Sequence, residues 1–102
     1  NMIKIKIAKT LTEKIQGLIG IKNVTEGLLI PYCNRIHTYY MEDNIDILFL
    51  DYNFRVIYKF INVSKNKIII INENTHVLEL PKFTSINIKP GTILPFKDKD
   101  II

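Results

Sequence analysis

The strongest constraint on this chain is its punctuation. From Gly27 onward, short apolar and β-branched runs at 28–30, 35–40, 45–50, 55–63, 68–72, 76–80 and 93–96 alternate with turn-forming residues. Runs this short, at this spacing, read as strands. Only layered or closed sheets bury so many strand faces in a small chain. The expectation is therefore a mainly β fold of the α+β kind: a small β-sandwich or partly open barrel. Asp51-Tyr52-Asn53-Phe54 predicts a hairpin turn and Ser64-Lys65-Asn66-Lys67 a second turn, since Asp and Asn tolerate backbone angles that β-branched residues resist.

Ahead of this region, residues 2–7 alternate strictly, with Lys4 and Lys6 between isoleucines, and predict a strand whose lysines guard a sheet edge. Thr10-Leu11-Thr12-Glu13 then matches a capping box and opens the one expected helix. Leu11, Ile15 and Leu18 share a helical face, predicted to pack on the sheet, and Gly17 and Gly20 mark the helix end.

With 102 residues, 47% hydrophobic and 24% charged, the chain reads as one ordered domain over 1–102. Its net charge of +4 is carried by scattered lysines with only Arg35 and Arg55 as guanidinium donors, so nucleic acid is not an expected partner. The expected partner is a small molecule or another protein. No apolar run approaches the roughly 20 residues of a membrane span. A lone Cys33 allows no internal disulfide and suits a reducing compartment, so the expected location is the cytoplasm, or outside it if an upstream signal segment is removed.

The densest group of functional side chains is Ile36-His37-Thr38-Tyr39-Tyr40-Met41-Glu42-Asp43-Asn44-Ile45-Asp46, just ahead of the apolar run 47–50. Together with Gly17-Leu18-Ile19-Gly20, Val77-Leu78-Glu79-Leu80-Pro81 and Ile88-Lys89-Pro90-Gly91, it resembles the pattern of the bacterial and archaeal family called domain of unknown function 192. The blocks run from Gly17 to Gly91. Ile19 stands where that family usually has Met, Lys82-Phe83 where it has a small residue and Gly, and the 81–88 segment is shorter than its counterpart, leaving less room for a helical turn. The resemblance implies a jelly-roll-like sandwich and no established reaction.

His37 is a candidate for proton transfer or metal ligation, although in a strand 35–40 it shares a face with Arg35 and Tyr39 and also suits a structural hydrogen bond. Glu79 lies between two leucines. Pointing inward it needs a partner such as His37, Arg35 or a tyrosine hydroxyl; pointing outward it is ordinary alternation. Asp46 is read first as a binder of backbone amides and second as a ligand. Met41 fills a core gap or lines an adaptable pocket, and Cys33 is read as an inert thiol.

These residues give a binding or accessory module with a site at His37, Thr38, Tyr39, Met41, Asp46 and Glu79. The rival reading is a small enzyme using His37 and Glu79 as an acid/base pair, or a metal held by His37, Glu79 and either His76 or Asp46. No motif implies a cofactor: H-E-x-x-H, C-x-x-C, P-loop and G-x-S-x-G patterns are all absent. Both readings place His37 and Glu79 close together, 42 positions apart in sequence.

Overall fold

The computed structural model describes residues 2–102. Its main sheet has five strands in the order β1 (Ile5–Ile7), β2 (Gly27–Ile30), β7 (His76–Pro81), β4 (Ile45–Leu50) and β5 (Val56–Val63). The pair β1 and β2 is parallel, and the crossover between them carries the helix α1 (Leu11–Gln16). All other pairings in this sheet are antiparallel. A second sheet joins β3 (Arg35–His37) to β6 (Ile68–Ile70). The fold is sandwich-like α+β, with no closed barrel, as the strand pattern predicts.

Both faces of the main sheet are covered. On one face Ile45, Ile47, Phe49 and Val77 pack with Leu28, Met41 and Leu18, and the small sheet adds Ile36 and Ile69. On the other, Leu48, Leu50, Leu78 and Leu80 pack with Phe54 and Val56, closed by Leu94, Phe96 and Ile101 from the C-terminal segment. Residues 45–50 therefore alternate between two dry faces, and all six are buried. The lysine-bearing β1 is indeed a sheet edge.

The capping box forms as expected: the Glu13 amide donates to Thr10 Oγ1 at 3.1 Å and the Thr10 amide to Glu13 Oε1 at 2.9 Å. The expected buried helix face does not form. Leu11 is 74% exposed and Ile15 67% exposed, and Leu18 is buried but lies beyond the helix. Gly17, with φ 54° and ψ −129°, breaks the helical period after Gln16, so Leu18 is aimed by a turn rather than by helical spacing.

Several strands are shorter than predicted: the 2–7 run forms only Ile5–Ile7 and the 68–72 run only Ile68–Ile70. The 35–40 run ends at His37, because Thr38 leaves the ladder to bond the 64–67 turn and Tyr40 takes φ 63°. Tyr40 is consequently exposed rather than paired with Ile36 and Thr38 on a strand face. At 93–96 only Ile93 makes a bridge, to Arg55; Pro95 has no amide to extend the ladder. The Asp51 turn forms as predicted, with Asp51 Oδ1 accepting from the amides of Asn53 and Arg55 at 2.8 and 2.9 Å.

Candidate binding pocket

Glu79 occupies the middle of β7, paired with Leu28 of β2 on one side and Ile47 of β4 on the other. It is only 2% exposed, so the outward-facing reading is overturned: a central strand covered on both faces has no wet side. Its carboxyl forms part of the wall of a cavity of about 320 Å³. Lys14, Gly17 and Ile19 border it on one side, Pro31, Cys33 and β3 on another, with Met41 beside them.

Glu79 Oε1 has no hydrogen-bond partner, and it is the one buried side-chain oxygen or nitrogen among the described residues in that condition. Burial raises its carboxyl pKa from 4.5 to about 7, with the Leu18 amide offsetting part of the rise. Gly17 stands against the same oxygen, since a Cβ there would come within 3.1 Å of Oε1. Any side chain at 17 would crowd the carboxyl.

His37 also lines the cavity. It is an exposed residue whose ring lies against Tyr39 at a centroid distance of 5.2 Å, and its Nδ1 accepts from the Tyr39 amide at 3.3 Å. His37 and Glu79 thus share a cavity without a hydrogen bond or an ion pair between them; the only ion pairs among the described residues are Lys6 to Glu26 and Lys82 to Asp43. No direct bond joins the two residues that the sequence reading places close together. Met41 is buried and borders the cavity, which suits both roles considered for it.

The other expected site residues lie elsewhere. Thr38 is buried as a turn lock: its hydroxyl donates to the Ser64 carbonyl at 2.7 Å and accepts from the Lys67 amide at 2.9 Å. Tyr39 does not border the cavity. Asp46, wholly buried, lies on the opposite sheet face, with Leu48 and Leu80. Its Oδ1 accepts from the Asn62 and Phe83 amides at 2.9 Å, and its Oδ2 from the Ser85 amide at 2.9 Å and Ser85 Oγ at 2.6 Å. Asp46 therefore does bind backbone amides, but across strands rather than locally. It fastens a bulge of β5 and the shortened 81–88 segment, which forms turns and no helix.

The metal triads do not assemble. His76 faces away from Glu79 on β7, stacked on Tyr52 and Phe54, and its Nδ1 accepts from the Tyr32 amide at 2.9 Å. No three His, Cys, Asp or Glu side chains among the described residues are grouped to hold an ion. Cys33 donates its thiol to the Arg35 carbonyl at 2.9 Å, and burial raises its pKa, as an inert thiol requires.

Sequence reasoning missed Gly17 and Lys14 as pocket residues, reading the first only as a helix stop. Its place in the "GLIG" block was the available signal.

Fold and pocket together define a sandwich-like α+β domain with an unsatisfied buried carboxyl packed against a glycine. The chain belongs to the family DUF192, described as Uncharacterized ACR, whose profile matches residues 1–96. Its fold is that of a protein of unknown function from Novosphingobium aromaticivorans, with a TM-score of 0.77 at 22% identity over 87% of this chain and 71% of the other. A candidate transcription regulator from Sinorhizobium meliloti matches with a TM-score of 0.75 at 20% identity, over 85% and 76% of the two chains. No curated protein matches the sequence. No helix among the described residues is long and apolar enough to cross a membrane.

Proposed function

We propose that this chain, acting as one domain over 1–102, is a binding or accessory module whose ligand enters the cavity above Glu79. The supporting observation is that Glu79, whose buried Oε1 lacks a partner, forms part of the lining of a cavity of about 320 Å³. An unpaired buried carboxyl oxygen costs stability, and a ligand that bonds it recovers that loss. A lining that combines Ile19, Ile30, Ile36 and Met41 with the polar side chains of Lys14, Arg35, His37 and Glu79 also matches the usual make-up of small-molecule sites. Of the residues expected from sequence, His37, Met41 and Glu79 belong to this reading, while Thr38, Tyr39 and Asp46 support the surrounding framework.

Thermal shift against a metabolite panel tests this, with Gly17→Ala as the control that narrows the space at Glu79. A ligand that stabilises the native chain and not Gly17→Ala supports the reading; a panel without such a ligand opposes it. Native mass spectrometry of protein purified without chelator identifies any molecule that is retained.

The enzyme reading draws on a different observation: a carboxyl with a pKa near 7 and an imidazole border one cavity, as an acid/base pair requires. It predicts that Glu79→Gln keeps the fold and abolishes turnover. Dispersed lysines favour a partner other than nucleic acid, and fluorescence anisotropy with labelled duplex DNA at low salt checks this against the name carried by the S. meliloti relative. Free Cys33 favours action in a reducing compartment such as the cytoplasm.

A further inference from the structure

We infer that the cavity takes a small monoamine: a ligand whose ammonium head pairs with the Glu79 carboxyl and whose short apolar body lies against Ile19, Ile36 and Met41. This rests on the binding reading above and adds the chemical class of the ligand.

The argument concerns a missing charge. Glu79 is almost wholly buried, and Oε1 accepts from no group of the protein. Lys14, Arg35 and His37 border the same cavity, but none makes an ion pair with it. They do not appear among the groups that shift its acidity either, so Glu79 has no internal counter-charge. A buried carboxylate is stable only when a cation and hydrogen bonds accompany it. An alcohol brings the hydrogen bond without the charge. A carboxylate ligand needs Glu79 to stay protonated, which fails as pH rises past about 7. An ammonium brings both charge and donors, and its affinity strengthens as Glu79 ionises.

The surroundings limit the rest of the molecule. Around the carboxyl the lining includes Ile19, Ile30, Ile36 and Met41, which suit an aliphatic body. Arg35 is exposed and cationic, which disfavours a second positive charge at the outer end. Gly17 packs directly against Oε1, since a Cβ there would stand 3.1 Å from it, so the approach to the carboxyl is from the cavity whose lining includes Glu79.

Isothermal titration calorimetry at pH 8 with hexylamine, hexanol and hexanoate tests the inference. Hexylamine is expected to bind at least tenfold more tightly than the other two, with an affinity that falls as pH drops through 7. Glu79→Gln, which retains the shape of the side chain, is expected to weaken hexylamine at least tenfold and leave hexanol unchanged. Circular dichroism confirms its fold, and Gly17→Ala provides an independent block of the same oxygen. Hexanol or hexanoate binding as tightly as hexylamine, hexylamine indifferent to Glu79→Gln, or no hexylamine binding at all overturns the amine class. The binding reading itself falls separately, when no panel compound distinguishes the native chain from Gly17→Ala.

Discussion

Gly17 and Glu79 meet where the turn after α1 crosses β7, so closely that a Cβ on residue 17 would lie 3.1 Å from Glu79 Oε1. The backbone of Gly17 is also in a region open almost only to glycine, with φ 54° and ψ −129°. Gly17→Ala should therefore lose about 1–3 kcal/mol of stability, measured by urea denaturation. A loss below about 0.5 kcal/mol would show that the turn relaxes freely, and the close approach would lose its significance.

Glu79 should make the folded state lose stability as pH rises through the mildly acidic range. Its carboxyl is raised from 4.5 to about 7 by burial. Between those values the unfolded chain has released the proton and the folded chain still holds it, so stability falls as pH rises from about 4.5 to about 7 and levels off above. At about 1.4 kcal/mol per pH unit the loss is on the order of 3 kcal/mol. Glu79→Gln should remove this slope. Its buried amide still lacks a full set of partners, so at pH 8 the variant should gain only about 1 kcal/mol over the native chain. Parallel pH profiles for the two proteins would contradict the assignment.

Asp46 should matter for stability and not for ligand affinity. Removing its carboxylate in Asp46→Ala orphans the amides of Asn62, Phe83 and Ser85 and the Ser85 hydroxyl. Each buried orphan costs about 1–3 kcal/mol, so a loss above about 3 kcal/mol is expected. Hydrogen exchange should show protection lost first at Phe83 and Ser85. Lys59 also holds this segment, donating to the carbonyls of Ser85, Ile86 and Ile88.

Ile15→Ala should be nearly silent, within about 0.5 kcal/mol, because the side chain is 67% exposed. Thermal denaturation distinguishes this from the 2–5 kcal/mol expected of an Ile lost from a packed helix face.

Thr38→Val should cost about 1–3 kcal/mol, since the hydroxyl serves both the Ser64 carbonyl and the Lys67 amide from a buried position. A loss well below this in chemical denaturation would show that water replaces the hydroxyl in the turn.

The local elements were legible in the chain itself. Alternation identified the strands, Thr10 and Glu13 identified the helix start, and Asp51 and Asn53 identified a hairpin, because each depends on residues a few positions apart. The run 45–50 also declared itself an apolar strand, whereas the burial of both its faces came from the tertiary structure. Site geometry was different in kind. Whether Glu79 points into solvent or into a core depends on which strands flank β7 and what covers each side, and nothing near Glu79 in sequence carries that information. The same holds for Asp46, whose partners Phe83 and Ser85 lie 37 and 39 positions away and on the sheet face opposite the cavity. Leu11 and Ile15 failed as core residues because the glycine turn ends the helix early and the small sheet already fills that face with Ile36 and Ile69. Local hydrogen bonding is written in neighbouring residues, whereas the assignment of each side chain to a face, a pocket or water follows from the burial of apolar surface over the whole fold.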